Sequence, residues 1–365
     1  DNPDLPRIEY QDIVSGEGRL NKDLNKNIDC RKGIVFETND ILYGKLRPYL
    51  KNWLHPNFNG IALGDFWVLQ ARNCDSKFLF SLVQSPKFQR VANDTSGTKM
   101  PRSDWKTVSQ TEFSIPTSNE EQSAIGSLFR TLDDLLASYK DNLANYQSLK
   151  ATMLSKMFPK AGQTVPEIRL DGFEGEWVEK RLKDISKRVT RKNNDLVSER
   201  ALTISAQFGL IDQEEFFQKK IASKDVSGYY LIKKGEFAYN KSYSTGYPLG
   251  AIKRLDKYEN GVLSTLYILF KAVDVDSDYL SHYYESDKWH REVSMCATEG
   301  ARNHGLLNIA PADFFNTRLV IPKELEEQQA IGTYFSNLDN LINSYQEKIS
   351  QLETLKKKLL QDMFI

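Results

Sequence analysis

Cysteine is scarce in this 365-residue chain: Cys30, Cys74 and Cys296 are odd in number and form no close pair. That excludes a disulfide framework and fits a reducing cytoplasm. No run of about 18 apolar residues occurs, so nothing is expected to span a membrane. No charged-then-apolar leader suggests export. Neither sign of charge dominates, since 49 basic residues balance 49 acidic ones, and any case for nucleic-acid binding must rest on local patches. Catalytic signatures are missing as well. There is no GxxxxGK[ST], no GxGxxG after a strand, no HExxH, no Gly-x-Ser-x-Gly elbow and no Glu-x-Lys. His55, His282, His290 and His304 are scattered without a cysteine at ligand spacing, so structural or surface histidines are expected, not a metal site. The closest approach to a methyltransferase Asn-Pro-Pro-[Tyr/Phe] is His55-Pro56-Asn57-Phe58, which lacks the second proline. No catalytic residue is expected.

What the chain does have is a repeat. Residues 115–158 and 321–364 align without a gap at an offset of 206, with 19 of 44 positions identical. Apolar residues run through Phe129, Leu132, Leu136, Tyr139 and Leu143 in one copy and Phe335, Leu338, Ile342, Tyr345 and Ile349 in the other. Steps of 3 and 4 make a coiled-coil seam, and both copies share one break in it. Neither has glycine or proline beyond its first turns. Each opens on Glu-Glu-Gln, and Ser118 with Glu121 forms a capping box. Two long helices are expected, over 118–158 and 321–365. They either pair seam to seam or each pack on their own domain.

The duplication extends upstream. Asp40–Lys45 matches Glu236–Lys241, Phe66-Trp67-Val68 matches Tyr267-Ile268-Leu269, and Ser85–Phe88 matches Ser286–Trp289. Each copy is thus a globular part followed by a long helix. The globular parts are 1–117 and 159–320, the latter including a Gly- and Pro-rich linker. A preface from Val165 to Asp195 has no counterpart in the first copy, whose amino-terminal end is therefore expected to be shortened. Short strands (Ile34–Phe36, Asp65–Leu69, Tyr229–Ile232, Leu266–Phe270) mix with one amphipathic helix per copy (Lys77–Val91, Asp278–Val293). No regular βαβ alternation appears, which makes the class α+β.

The copies differ most in polar, basic loops. The first carries Tyr43, Lys45, Arg47 and Lys51, then Thr98, Lys99 and Arg102. The second carries Lys241, Tyr243, Ser244, Thr245 and Tyr247, then Arg302, Asn303 and His304. Such side chains read base edges and hold phosphates, and neighbouring glycines let backbone N–H groups approach. Solvated turns have the same composition. Length changes confined to these loops favour two readers that touch different targets.

Together these features resemble the specificity subunit of type I restriction-modification systems. In that family a target-recognition domain precedes a long helix that starts near Ile-Pro-x-x-x-Glu-Glu-Gln-x-x-Ile-Gly, and the unit occurs twice. The residues that carry the likeness are Ile115-Pro116 with Glu120–Gly126, and their copies from Ile321 to Gly332. Lys156–Pro159, Val165–Arg169 and Gly172-Phe173 add to it. The resemblance implies an α+β tandem repeat with pseudo-twofold character, its two target-recognition domains separated by two long antiparallel coiled-coil helices. It implies a cytoplasmic, non-catalytic subunit that binds double-stranded DNA and no cofactor of its own. Two methyltransferase subunits would bring S-adenosylmethionine, and two restriction subunits ATP and Mg. Each domain would read one half of a bipartite target, with the helices setting the gap. The competing reading is a coiled-coil interaction scaffold that does not bind DNA.

Overall fold

The protein is described by a computed structural model covering residues 5–21, 31–94, 99–205, 208–219, 222–223, 225–242, 246–297 and 307–364. The first copy begins with β1 (Arg7–Ile8), β2 (Ile13–Val14), β3 (Arg19–Leu20), β4 (Ile34–Phe36) and β5 (Ile41–Gly44). It continues through β6 (Trp53–Leu54), β7 (Gly60–Ala62) and β8 (Phe66–Leu69) to α1 (Ser76–Gln84), α2 (Pro86–Ala92), α3 (Trp105–Ser109) and the long α4 (Asn119–Lys156). The second opens with β9 (Val178–Arg181), β10 (Ser186–Val189), β11 (Leu202–Ser205), β12 (Gly209–Asp212), α5 (Gln213–Phe217) and β13 (Tyr230–Lys233). Then come β14 (Phe237–Asn240), β15 (Ala251–Arg254), β16 (Asn260–Leu263), β17 (Ile268–Ala272), α6 (Ser277–Tyr283), α7 (His290–Cys296), α8 (Pro311–Phe315), β18 (Arg318–Ile321) and the long α9 (Leu325–Met363).

The chain divides into two compact units, Asp1–Ala144 with Asn343–Ile365, and Asn145–Ile342. Each long helix therefore contributes to both. In the first unit one sheet has the order β6-β5-β8, all antiparallel, and another has β1-β7-β4 with β1 parallel to β7. In the second, β10-β17-β14-β15 forms an antiparallel sheet, β13 pairs with β16, and Ala201 makes a parallel bridge to Val262. The shared pattern is that of one fold used twice.

The single helix expected in each copy is two helices in both. Pro86 removes the backbone N–H that would continue α1, and Ser85 turns extended and caps α2 through the Phe88 N–H. In the second copy α6 ends at Tyr283 and α7 resumes at His290. The strands expected at Tyr229–Ile232 and Leu266–Phe270 are found one and two residues later.

The long helices form as the seam requires. In the first unit Ile125, Phe129 and Leu132 near the start of α4 pack with Leu360 near the end of α9 and Phe364 just after it. In the second, Met157 and Phe158 after α4 pack with Ile331, Phe335 and Leu338 at the start of α9. The helices thus run antiparallel in both units. Tyr139 and Tyr345, which are copies of each other, meet with ring centroids 5.3 Å apart. At about 1.5 Å per residue, the 38 and 39 residues of α4 and α9 make rods nearly 60 Å long.

One difference between the units follows from the preface. Its strands β9 and β10 pair with β18 and β17 in the second unit. In the first unit β8 has β5 as its one strand neighbour among the described residues. Glu112–Ile115, the copy of β18, forms no strand. Ile321 is 3% exposed, whereas its copy Ile115 is 44% exposed. Replacing Ile321 by Ala is expected to cost about 2–4 kcal/mol, as deep aliphatic truncations do. Ile115→Ala should stay within about 0.5 kcal/mol. Chemical denaturation of the two variants checks this contrast.

Candidate nucleic-acid interface

In the first unit the two loops singled out by sequence lie side by side. The chain leaves β5 at Gly44 and turns through a short 3-10 segment at Pro48–Leu50, with Arg47 and Lys51 in left-handed backbone at φ of 51° and 56°. Side chains larger than glycine rarely adopt that conformation, and such strain concentrates where a loop has a task. The segment around Arg102 runs against this loop. Leu46 bridges Arg102, the Arg47 N–H donates to the Pro101 carbonyl at 2.7 Å, and the Ser103 N–H donates to the Lys45 carbonyl at 2.8 Å. Lys45, Arg47, Lys99 and Arg102 are thereby gathered on two adjoining segments. The Arg102 guanidinium is held at 2.9 Å by Asp65, which leaves further donors of its fork free. Thr98 lies outside the described residues.

Tyr43 and Lys51 are placed elsewhere. Strand β5 is buried along its whole length, so Tyr43 points into the core, stacked on Trp67 at 5.8 Å. Its hydroxyl accepts from Gln89, and burial pushes its pKa up to about 12. It supports the loop from beneath and offers no free face. Lys51 lines a cleft of about 480 Å³ beside the long helices, with Asp133, Lys140, Glu353 and Lys356 among its neighbours.

The second unit repeats the arrangement. Lys241 follows β14 as Lys45 follows β5, and its carbonyl accepts from the Leu307 N–H at 3.0 Å. Its ammonium donates to the Ile309 carbonyl at 3.4 Å, and burial lowers its pKa. Tyr247 is half out in solvent and lines a cleft of about 460 Å³ with Lys150, Glu285 and His290. Tyr243, Ser244, Thr245, Arg302, Asn303 and His304 lie outside the described residues.

Sequence reasoning missed Trp105, which is 52% exposed, touches Trp67 edge-on and sits three residues after Arg102. An aromatic residue two places after Arg-Ser was the available signal. The seam read from the sequence runs on through Leu149 and Leu355, but both are exposed, so the apolar steps there do not mark the buried face. Sequence reasoning missed Leu135 and its copy Leu341, which are exposed two heptads before them on the same helices.

Each globular part is fixed to its long helix by the same contacts. Asp75 caps α1 through the Phe78 N–H, and its own N–H donates to the Gln122 side chain at 3.0 Å. The Gln122 amide donates to the Pro116 carbonyl at 2.8 Å. In the second unit Asp276, Tyr279, Gln328 and Pro322 repeat these bonds. A Cβ on Gly126 would lie 2.6 Å from the Phe78 nitrogen, and one on Gly332 would lie 2.9 Å from the Tyr279 nitrogen. This is the physical content of the Glu-Glu-Gln-x-x-Ile-Gly motif. The glutamine bridges, and the glycine lets the helices touch.

Charge repeats too. The Lys356 ammonium contacts Asp133 at 2.5 Å and Gln84 at 2.7 Å, while its copy Lys150 contacts Asp339 at 2.5 Å and Glu285 at 2.7 Å. Burial opposes the charge on Lys150, but Glu285 and Asp339 outweigh it and raise its pKa. Burial likewise opposes the Glu285 carboxylate, yet His282, Lys150 and Lys253 hold its pKa well below the ordinary range. His282, Glu285 and Asp339 come close enough together to ligate a metal. The Lys150 ammonium already supplies the cation there, so the cluster is an ion-pair network.

No family model matches the chain. It is similar to the type I restriction enzyme MjaVIII specificity subunit of Methanocaldococcus jannaschii, at 23% identity over 353 residues, spanning 90% of this chain and 79% of that protein. Its fold is similar to the S subunit of a type I restriction-modification system from M. genitalium, with a TM-score of 0.58 and 14% identity over 100% of this chain and 90% of the other. A second solved structure, from a study of complex assembly and conformational transition of the type I R-M system, gives a TM-score of 0.50 and 18% identity over 98% and 90%. These likenesses establish an α+β fold with two long helices, as expected from the sequence.

The ion-pair network sets a pH dependence. Because the Glu285 pKa is depressed on folding, its stabilisation is fully present above the unfolded value near 4.5 and fades as the pH falls below that. Glu285→Gln, which copies Gln84, should cost about 1–3 kcal/mol at pH 7. Its deficit against the parent should close as the pH drops below 4.5, as read by hydrogen exchange of α6 amides.

Proposed function

We propose that this chain is the DNA sequence-recognition subunit of a type I restriction-modification complex. The observation that carries the reading is the doubled joint: two mixed domains, each tied to a long helix by the same glutamine, aspartate and glycine, in a chain similar to type I specificity subunits over most of its length. The recognition domains correspond to 1–117 and 159–320, the spacer helices to 118–158 and 321–365. Each domain reads one half of a bipartite target in double-stranded DNA, and the helices set the gap between the halves. The chain itself is non-catalytic. Two methyltransferase subunits supply S-adenosylmethionine chemistry, and two restriction subunits supply ATP- and Mg-dependent cleavage. The complex works in the cytoplasm; among the described residues no helix is long and apolar enough to cross a membrane.

In the first domain the gathered Lys45, Arg47, Lys99 and Arg102 are the contacts best supported, and Thr98 is assigned from the sequence alone. In the second, Lys241 is the described contact, and Tyr243, Ser244, Thr245, Arg302, Asn303 and His304 are assigned to the interface from the sequence alone. Lys45 and Lys241 occupy matched places in two domains with different targets, which suits holding phosphate better than reading a base. Lys51 and Tyr247 face clefts and Tyr43 faces the core, so these three act indirectly.

Replacing Lys99 and Arg102 by Ala should weaken recognition at one half-site only, by about 1–3 kcal/mol for each bidentate pairing with a base that the change removes. Methylome mapping in cells that carry the chain and its methyltransferase reads this directly. Equal damage at both half-sites would overturn the assignment. DNA binding by the assembled complex should also fall steeply with salt. Salt-independent assembly with no DNA shift would return the case to a scaffold that binds protein only.

The outward leucines suit helical partners that pack on matched positions of the two rods. Leu135→Glu and Leu341→Glu should each leave the chain folded and lose one methyltransferase, and the double variant should lose both. Mass measurement of the purified complex counts the subunits. Full occupancy in the double variant would rule the stripe out as the docking surface.

A further inference from the structure

A buried amide has few ways to satisfy both its ends, and Gln122 and Gln328, 2% and 3% exposed, use the same one. Each accepts from the N–H of the residue that caps the helix packed against it, α1 or α6, and donates to the carbonyl just ahead of its long helix. Apolar packing alone tolerates small rolls and slides between helices. A pair of directional bonds, with no room for a Cβ one turn further on, does not.

The joints are not equal. In the second unit Glu327 is buried beside Gln328. It accepts from the Arg169 guanidinium through both carboxylate oxygens at 2.8 Å and from the Trp177 indole N–H at 3.2 Å. Arg169 is further tied to the Glu174 and Gly175 carbonyls. Glu121, the copy of Glu327, is exposed and makes no ion pair among the described residues. The first joint rests on its amide; the second has a charged clamp as well.

We infer that Gln122 and Gln328 are positioning residues for bipartite recognition, and that the first joint is the one through which the accepted gap length is most easily changed. The inference rests on the reading of the chain as a specificity subunit. Neither residue touches DNA. Each holds its recognition domain at one setting on the spacer helix, and that setting is transmitted to the gap between half-sites.

The test is methylation by the full complex on targets with both half-sites fixed and the gap varied one base pair at a time. The unsubstituted complex should prefer one gap. Gln122→Met, nearly isosteric and without hydrogen bonds, should raise methylation at neighbouring gaps relative to the preferred one by roughly two- to tenfold, the worth of about one neutral hydrogen bond. Gln328→Met should change the profile less than twofold until Arg169→Met is added. Gly126→Ala, which forces α1 and α4 apart, should shift the preferred gap instead of broadening it, and covers the case in which Gln122→Met does not fold. A uniform fall at every gap with an unchanged profile, in Gln122→Met or in Gly126→Ala, would make the joint merely structural and overturn the inference. An unsubstituted complex with no gap preference would overturn the functional reading itself, and this inference with it.

Discussion

The structure depends on one repeated interaction, a lysine on one long helix reaching across to an aspartate on the other. Lys356 does this with Asp133 in the first unit and Lys150 with Asp339 in the second. Each lysine also bonds the globular part, at Gln84 or Glu285. Such a cation is desolvated, and it is tolerated because its donors find partners on both the other long helix and the globular part, so that three elements meet at it. The same three elements converge in the aromatic contacts. Phe364 packs on Phe129 and Phe78 in the first unit, while Phe158 packs on Phe335 and Tyr279 in the second. A helix pair and a globular part are fixed by one small set of contacts, made twice with roles of the two helices exchanged.

Exchange of roles is what a twofold homodimer shows across its interface, where residue i meets j and j meets i. Here both copies belong to one chain, so each has been free to change alone. The changes fall among and beside the shared contacts. Glu285 and His282 stand where the first copy has Gln84 and Ser81, and Arg169 clamps Glu327 where the first copy has an exposed Glu121. Among the described residues the second unit is the more highly charged at its joints and carries two more strands. A common frame is thus kept while the surroundings of each copy diverge.

The placement of the loops follows from the frame. Lys45 and Lys241 leave the central strand of their sheets at matched places, and in each unit a later segment donates a backbone N–H to the lysine carbonyl. In the first unit two segments far apart in sequence adjoin because such bonds tie them. Their side chains are then free to differ without cost to the fold, since loops on a rigid scaffold carry little of the core.

Much of this was legible before the structure. The long helices could be read because their apolar residues repeat every three and four positions without a breaker. The duplication could be read because identical residues recur at a constant offset. The Glu-Glu-Gln-x-x-Ile-Gly motif could be recognised, but its meaning could not. Only tertiary packing shows Gln122 spanning to Asp75, 47 residues away, and Gly126 giving room to Phe78. Tyr43 looked like a loop residue because it precedes Gly-Lys. Burial of β5 on both faces decided otherwise, and no local pattern reveals how many layers cover a strand. The break within each expected helix was written at Pro86 but obscured in the second copy, where Asp287 replaces that proline. Periodicity and identity are local or repetitive properties, so the sequence alone determined the helices and the twofold repeat. Which polar groups meet, which lysine is paired and which loop lies beside which depend on contacts between residues far apart in the chain, and only the folded structure decided them.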